Sequence, residues 1–293
     1  MQEKEEKYIQ LYKTQNKILN LTAKEKLGFY LTGGTALQRF HYNKFRFSDD
    51  LDFFLIENKT QDKTPKEFNE FVTMLKDNNI EHTIKVSNKY FTQIYLRENN
   101  LKIDLVNDFV YHEKDDFKKL DNGLYIDSIQ NIFVNKLETS VSRDEPRDLF
   151  DIYTILSNNK MDINKSFEIL SKKCNIEPKQ VISNLKNINL NKINLEEVRA
   201  KNNYILKDFY ENFHKVINEN FIEKNQKKEL FEKINYYEKK KDILISEQKN
   251  KLIKDISNTA EKLYKNKELS QEEKNSIDNI INQSRKLYNG KKI

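Results

Sequence analysis

Two patterns of apolar and polar positions succeed one another along the chain. Residues 3–28 carry apolar side chains at helical spacing among charges, which predicts an amphipathic helix that leads into the apolar run 29–31. Gly33 and Gly34 then interrupt the chain, and Thr35 is predicted to cap a short helix. The next segments predict a small mixed sheet with one crossing helix. Strands are predicted at 51–56, 80–86, 90–96 and 101–106, and the helix begins at Pro65 and ends at Asn78 and Asn79.

Strand signals fade from Asp127 onward, and helical periodicity replaces them. Apolar stripes continue through the Lys- and Asn-rich last third, so this region is predicted to be a helical lobe or arm and not a disordered tail. The predicted fold class is therefore α+β, with a small mixed sheet in the N-terminal part and an all-helical C-terminal lobe. The predicted parts are a core with an N-terminal helix over 1–125, a helical segment over 126–200 and a basic helical lobe over 201–293.

Composition excludes several classes of protein. The chain is 33% charged and 11% aromatic, which is typical of an ordered protein rich in helix. Cys174 is the only cysteine, so an intrachain disulfide and a cysteine-built zinc site are both excluded, and the four histidines show no ligand spacing. No apolar run approaches the ~20 residues that span a bilayer, and the N-terminus does not resemble a signal peptide. A cytoplasmic protein without a membrane partner is expected.

The net charge of +6 lies entirely in the last third of the chain. Residues 1–200 carry 31 basic and 31 acidic side chains, whereas residues 201–293 carry 21 basic and 15 acidic ones. Such an asymmetry is typical of a region that binds a polyanion such as RNA. A solvated lysine-rich helical surface explains the same count, and both interpretations stay open.

Three consecutive residues, Gly33, Gly34 and Thr35, have the composition of a phosphate-binding turn. Glycines remove side-chain bulk and allow positive φ, so backbone N–H groups can approach phosphate oxygens. Thr35 adds a hydroxyl donor. A lone pair of glycines is most often an ordinary turn, and the interpretation depends on the residues that come after it along the chain.

Asp50 and Asp52 stand at the head of an apolar strand, where residues two apart project to the same face. Two neighbouring carboxylates repel each other unless a cation lies between them, and Mg²⁺ is the expected cation, with Mn²⁺ as the alternative. Asp104 interrupts another apolar strand, and a third carboxylate there would allow two metal ions. Asp108 is the competing candidate for that third position. The sequence thus predicts a catalytic and metal-binding set of Asp50, Asp52 and Asp104.

These motifs together resemble a known family. Gly-Gly-Thr-Ala-Leu at 33–37, followed by Arg-x-Ser-x-Asp-Leu-Asp-Phe at 46–53, is similar to the AbiEii/AbiGii toxin family of nucleotidyltransferases. The resemblance implies a DNA-polymerase-β-like nucleotidyltransferase fold, related to the MenT toxins that add nucleotides to the tRNA 3′ end. It matches Asp50, Asp52 and Asp104 to the family's metal-binding aspartates.

A second block, residues 135–153, resembles the family's downstream Lys…Arg-Asp-x-x-Asp segment, which would complete the nucleotide site. Lys136 shares the inward apolar stripe of its helix, where an unpaired ammonium is costly, so it needs an anionic partner. That partner is a triphosphate, or else Asp148 or Asp151 in a salt bridge, or the lysine reaches solvent. Arg143 serves phosphate or only solvent. The nucleotide-binding candidates are Gly33, Gly34, Thr35, Arg46, Ser48, Lys136, Asp148 and Asp151.

The expected function is metal-dependent transfer of a nucleoside monophosphate from an NTP to RNA, with the tRNA 3′ end as the expected acceptor. The resemblance also implies a cognate antitoxin as a partner. Two alternatives stay open at this point. One is nucleotidylation of a protein or small molecule by the same fold, and the other is a non-catalytic partner-binding module that keeps the nucleotidyltransferase shell.

Overall fold

The chain is described by a computed structural model that divides into two compact units, here called unit 1 (Met1–Phe213) and unit 2 (His214–Ile293). Residues described by the structure are 2–42, 45–58, 63–113, 116–143, 145–244, 246–265 and 269–289.

Unit 1 contains a seven-stranded mixed sheet. Its strands in chain order are β1 (Phe29–Thr32), β2 (Leu51–Leu55), β3 (His82–Ser87), β4 (Phe91–Leu96), β5 (Lys102–Val106), β6 (Phe117–Lys119) and β7 (Tyr125–Asp127). Their spatial order is β3-β4-β5-β2-β1-β7-β6. The pairs β2/β5 and β1/β7 are parallel, and the other neighbours are antiparallel.

The remaining regular structure of the described residues is helical. Two short π-helical segments, Leu37–His41 and Asn218–Glu223, and two 3₁₀ turns, Leu190–Lys192 and Leu195–Val198, interrupt the series. The α-helices are α1 (Gln2–Lys24), α2 (Gly33–Ala36), α3 (Lys66–Asp77), α4 (Ile129–Ser142), α5 (Pro146–Asn158), α6 (Ile163–Lys173), α7 (Pro178–Asn187), α8 (Asn203–Ile217), α9 (Lys224–Lys240), α10 (Ser246–Lys265) and α11 (Gln271–Asn289).

The period-two alternation of β2 separates the core from the site. Leu51, Phe53 and Leu55 are buried, and α3 packs on this face, with the rings of Phe53 and Phe71 5.6 Å apart between centroids. Asp52 projects to the opposite face of the sheet, because successive strand residues alternate. The apolar face thus anchors β2 while its polar face remains available for chemistry.

Helices α4 and α5 form a buried pair beside the sheet. Ser128 caps α4 by accepting a hydrogen bond from the backbone N–H of Asn131, and Pro146 occupies the first turn of α5, as its fixed φ favours. Apolar side chains such as Phe133 and Phe150 are fully buried. This packing holds the polar residues of the two helices at fixed positions.

Unit 2 has a hydrophobic core of its own, supplied by α9, α10, α11 and Leu269, which precedes α11. Its buried members lie at helical spacing, which explains why the charged sequence of this region is nevertheless helical. They are Leu230, Ile234, Tyr237, Ile256, Ala260, Leu263, Leu269, Ile277 and Ile280.

The predicted α+β class is confirmed, and each predicted strand and the helix after Pro65 is present within a few residues. The predicted cap at Thr35 is wrong: the helix begins at Gly33, Thr32 occupies the N-cap position, and Thr35 is buried inside the helix. Strands β6 and β7 were not predicted. Each has only three residues, too few for a period of two to stand out from the flanking loops.

The two compact units meet at 213/214, whereas the sequence pattern placed boundaries at 125/126 and 200/201. That three-part division stays a prediction. Among the described helices, none combines the length and the apolar character needed to cross a bilayer.

Candidate active site

Strand register brings three aspartates onto one face of the sheet. Asp52 on β2 lies directly opposite Asp104 on the parallel strand β5, and Thr32 at the end of β1 lies opposite Asp52. Directly paired strand residues project to the same side. Asp50 precedes Asp52 by two residues and joins the same face. The competing candidate Asp108 lies in the loop after β5, where its carboxylate accepts a hydrogen bond from the backbone N–H of Val110 at 3.0 Å.

Lys102 lies between two of these carboxylates, and sequence reasoning missed it. Its Nζ is 3.3 Å from Oδ2 of Asp50 and 3.0 Å from Oδ2 of Asp104. Burial acts to lower the pKa of Lys102, but the hydrogen bond to Asp104 and the charges of Asp50, Asp104 and Asp52 outweigh it and raise the pKa. Its spacing from Asp104, two residues along one strand, is the signal that could have found it. We call Asp50, Asp52, Asp104 and Lys102 the carboxylate cluster.

Asp104 is also held from its other side. Gln93 on the neighbouring strand β4 donates a hydrogen bond to Oδ1 of Asp104 at 3.1 Å, and the two residues are direct register partners. The two carboxylate oxygens of Asp104 therefore have different partners, Gln93 on Oδ1 and Lys102 on Oδ2. Their orientation is fixed by the sheet.

The carboxylate cluster carries more negative than positive charge. The pKa of Asp52 is raised to about 6, first by burial and then by the neighbouring charge of Asp50, with a further contribution from Asp104. Lys102 and Lys136 act in the opposite direction. Burial and like charges both disfavour the ionised form, so this site favours any additional cation.

The backbone passes close to the Asp52 carboxylate at Gly33. The φ of Gly33 is +69°, in the left-handed region, and a Cβ at this position would lie 2.5 Å from Oδ2 of Asp52. Both the conformation and the lack of space require glycine. The Gly-Gly turn is thus in direct contact with the carboxylate cluster.

The donor set of the cluster suits a magnesium or manganese ion in kind, because carboxylate oxygens are the ligands these ions prefer. Asp50 and Asp104 already share a cation, the Lys102 ammonium. The arrangement is not closed around a metal, however: among the described residues, no three or more Asp, Glu, His or Cys side chains form a group that could hold one. The metal-binding role of Asp50, Asp52 and Asp104 stays a prediction.

Arg46 is buried against the second glycine. A Cβ at Gly34 would collide with Nη2 of Arg46 and lie 3.1 Å from Oγ of Ser48. The guanidinium makes a two-pronged ion pair with Asp151, with Nε 2.6 Å from Oδ1 and Nη2 2.8 Å from Oδ2. Arg46 and Asp151 are 3% and 0% exposed, so their pairing connects α5 to the segment before β2 inside the protein.

Lys136 extends this pairing along α4. Its Nζ lies 2.5 Å from Oδ1 of Asp148 and 3.0 Å from Oδ2 of Asp151, and Nε of Arg143 donates to Oδ2 of Asp148 at 3.0 Å. Burial alone would lower the pKa of Lys136, but the charges of Asp151 and Asp148 raise it. Burial would raise the pKa of Asp148, whereas Lys136 and Arg143 hold it below its usual range. We call Arg46, Asp151, Lys136, Asp148 and Arg143 the buried ion network.

Asp148 and Asp151, two of the anionic partners considered for Lys136, therefore both form ion pairs with it. Contact of Lys136, Arg46, Asp148 or Asp151 with a nucleotide stays a prediction. Lys136 is nevertheless close enough to the carboxylate cluster to lower the pKa of Asp52 by its charge. The network thus adjoins the cluster and adds positive potential beside it.

The loop that presents Asp50 is braced by hydroxyl and amide groups. The Thr35 hydroxyl donates to the backbone carbonyl of Asp50 at 2.5 Å and lies 2.9 Å from Oγ of Ser48. Gln15 on α1, also missed by sequence reasoning, donates from Nε2 to the carbonyls of Ser48 and Asp49, 3.2 Å from each. In this structure Thr35 and Ser48 position the loop, and their predicted contact with a nucleotide stays a prediction.

The same sheet face continues to Asp127, a fully buried carboxylate. Thr32 donates to Oδ2 of Asp127 at 2.5 Å, and the side-chain amide of Asn131 lies 2.9 Å from both carboxylate oxygens. His112 Nε2 is 3.3 Å from Oδ1. These contacts enclose Asp127, which is 0% exposed, so it supports the end of β1 beside Asp52.

The carboxylate cluster and the buried ion network both lie within a region shared with known proteins. A family model described as the nucleotidyl transferase AbiEii toxin, type IV TA system, matches residues 19–215, more than half of the chain. No curated protein matches the chain.

Solved structures with a similar course of the chain include two from Helicobacter pylori. One, assigned as a nucleotidyltransferase, is 21% identical with a TM-score of 0.43, and the match covers 72% of this chain and 96% of that one. The other, JHP933, is 20% identical with a TM-score of 0.43, covering 72% and 94%. The Megavirus polyadenylate synthase is 14% identical with a TM-score of 0.37, covering 52% of this chain and 33% of that one.

Proposed function

The chain belongs to the AbiEii family of nucleotidyl transferase toxins, and from this premise we propose that it transfers a nucleoside monophosphate from an NTP to the 3′ end of tRNA. The chain is a nucleotidyltransferase; the acceptor and the metal requirement are the proposal. The observation that carries it is the carboxylate cluster, in which Asp50, Asp52 and Asp104 share one sheet face beside a glycine turn.

The residues of the cluster have distinct roles in this proposal. Asp50, Asp52 and Asp104 would hold Mg²⁺, which supplies charge neutralisation for the triphosphate and activates the attacking hydroxyl when bound. Asp104, oriented by Gln93, would face the acceptor hydroxyl. The backbone of Gly33 and Gly34 would approach the phosphates, because side-chain bulk is missing there.

An RNA acceptor is favoured by charge and by exposed aromatic rings. Residues 201–293 carry six more basic than acidic side chains (21 less 15). Tyr204 is 81% exposed and Tyr236 is 53% exposed, whereas Phe209 and Phe213 are buried core residues. Exposed tyrosines among lysines provide stacking surfaces for unpaired bases and cations for the phosphate backbone. A cytoplasmic location and a cognate antitoxin complete the proposal.

Labelling distinguishes the acceptor classes. The purified protein is incubated with Mg²⁺, each α-labelled NTP, and total RNA beside total protein, with Mn²⁺ and chelator arms. We expect label on gel-resolved tRNA that is lost with chelator and with Asp52→Asn, and kept with Asp108→Asn, a loop carboxylate outside the cluster. Label only on protein would overturn the RNA acceptor. NTP binding without label on either would favour a non-catalytic module.

A further inference from the structure

We propose that Lys102 is an internal competitor for the metal site: its ammonium links Asp50 to Asp104 when no divalent cation is bound, and it must leave before one can bind. The inference rests on the proposed metal-binding role of the carboxylate cluster. In this inference, Lys102 weakens the binding of free divalent cations to the enzyme that has no nucleotide bound.

The geometry places the ammonium on the same oxygens that a cation needs. Lys102 contacts Oδ2 of both Asp50 and Asp104, at 3.3 and 3.0 Å. Oδ1 of Asp104 accepts the hydrogen bond of Gln93, which can persist while a metal binds to the other oxygen. Oδ2 of Asp104 is therefore the oxygen that has to be released, and Lys102 is the group that has to release it.

Binding a divalent cation and the ammonium to the same oxygens at once is energetically unfavourable. Both carry positive charge, and two cations held a few ångströms apart on one carboxylate repel each other strongly where water is limited. Lys102 has a flexible four-carbon stem, so its head can move away without disturbing β5. Its side chain is 26% exposed, which leaves a path for that movement.

Lys102 also explains why the three aspartates are close in register but do not form a metal group as they stand. The ammonium contacts both Asp50 and Asp104, while Asp52 lies in register with Asp104. Removing the ammonium should leave three carboxylates with a higher affinity for a divalent cation. An incoming triphosphate would have the same effect, because it offers Lys102 another anion.

The test is Mn²⁺ binding by the full-length protein without nucleotide, measured by electron paramagnetic resonance and by calorimetry. We expect Lys102→Met to bind Mn²⁺ about tenfold more tightly than the natural protein, and Lys102→Gln to do so as well. Lys85→Met is the matched control, because Lys85 is an exposed lysine on the same sheet at β3. Its affinity should be unchanged.

A second readout checks folding. Without metal, Lys102→Met should melt at a lower temperature than the natural protein, because the carboxylates then repel one another, and saturating Mn²⁺ should abolish that difference. Equal or weaker Mn²⁺ binding by both Lys102 variants would overturn the inference. If Mn²⁺ binding is equally insensitive to Lys102→Met and to Asp52→Asn, the metal site itself is elsewhere and the proposed function loses its cofactor. If only Asp52→Asn matters, the competitor alone is refuted.

Discussion

The carboxylate cluster and the buried ion network lie side by side, yet their charges are organised in opposite ways. The cluster has three carboxylates and one ammonium, for a formal charge of −2, and the pKa of Asp52 is raised to about 6 within it. The network alternates three cations with two carboxylates at 2.5–3.0 Å, and Asp151, which pairs with both Arg46 and Lys136, is fully buried.

From this difference we expect the cluster to affect activity most and the network to affect stability most. A buried charge with close partners is costly to disturb and gains little from an added ion. A group of like charges with too few partners costs stability in the resting protein and is relieved by a ligand of opposite charge. Substitutions in the two regions should therefore affect different properties: activity for the cluster and stability for the network.

The largest expected effect is on activity in the cluster. Asp52→Asn should lower the rate of nucleotidyl transfer by about 10³-fold or more, because it removes a charge needed in the reaction. Stability should stay the same or rise, since burial and the charge of Asp50 disfavour the ionised Asp52. Initial rates and melting temperature, measured on one preparation, check both halves. A fully active Asp52→Asn protein would remove this aspartate from the mechanism.

The converse effect is expected in the network. Asp151→Asn leaves Arg46 and Lys136 buried beside a neutral group and should lower the free energy of unfolding by about 3–5 kcal/mol. Urea denaturation at neutral pH measures it, with Asp108→Asn, in the loop after β5, expected within ~0.5 kcal/mol of the natural protein. A loss below ~1 kcal/mol for Asp151→Asn would show that the network is not what holds α5 in place.

A smaller effect on stability is expected at the glycine turn, which contacts both regions. Gly33→Ala should cost about 1–3 kcal/mol, because alanine at positive φ is strained and its Cβ would press on Asp52. The transfer rate should fall as well, since the carboxylate must shift. Gly28→Ala is the matched control, with the nearest atom to its Cβ at 3.8 Å, and denaturation curves of the two variants should differ clearly. Similar curves would argue against a tight turn at Gly33.

The smallest effect concerns the brace on Asp50. Thr35→Val removes the hydroxyl that donates to the Asp50 carbonyl, and should cost about 1 kcal/mol of stability. The rate should fall about tenfold through the displaced carboxylate, and Thr35→Ser should recover most of it, because serine keeps the donor. Steady-state rates of the three proteins check this. If Thr35→Ser is as poor as Thr35→Val, the methyl group and not the hydroxyl positions the loop.

Much of the fold can be predicted from local pattern. The spacing of Leu51, Phe53 and Leu55 predicts a strand with one buried face, and β2 is that strand. Pro146 predicts the start of a helix and occupies the first turn of α5. Strands β6 and β7 could not be predicted, because three residues are too few to show a period of two. The predicted cap at Thr35 was wrong because the helix begins at the glycines themselves.

The sequence by itself determined that Asp50 and Asp52 share one face, because the side-chain period of a strand is a local property of the backbone. It also determined that Lys136 needs an anionic partner, since the position lies on an apolar helical stripe. Only the tertiary structure decided which anions those are and that Asp104, not Asp108, stands opposite Asp52. It also decided that Lys102 lies between two of the carboxylates. Strand order and register join residues far apart in the chain, and no local period encodes them.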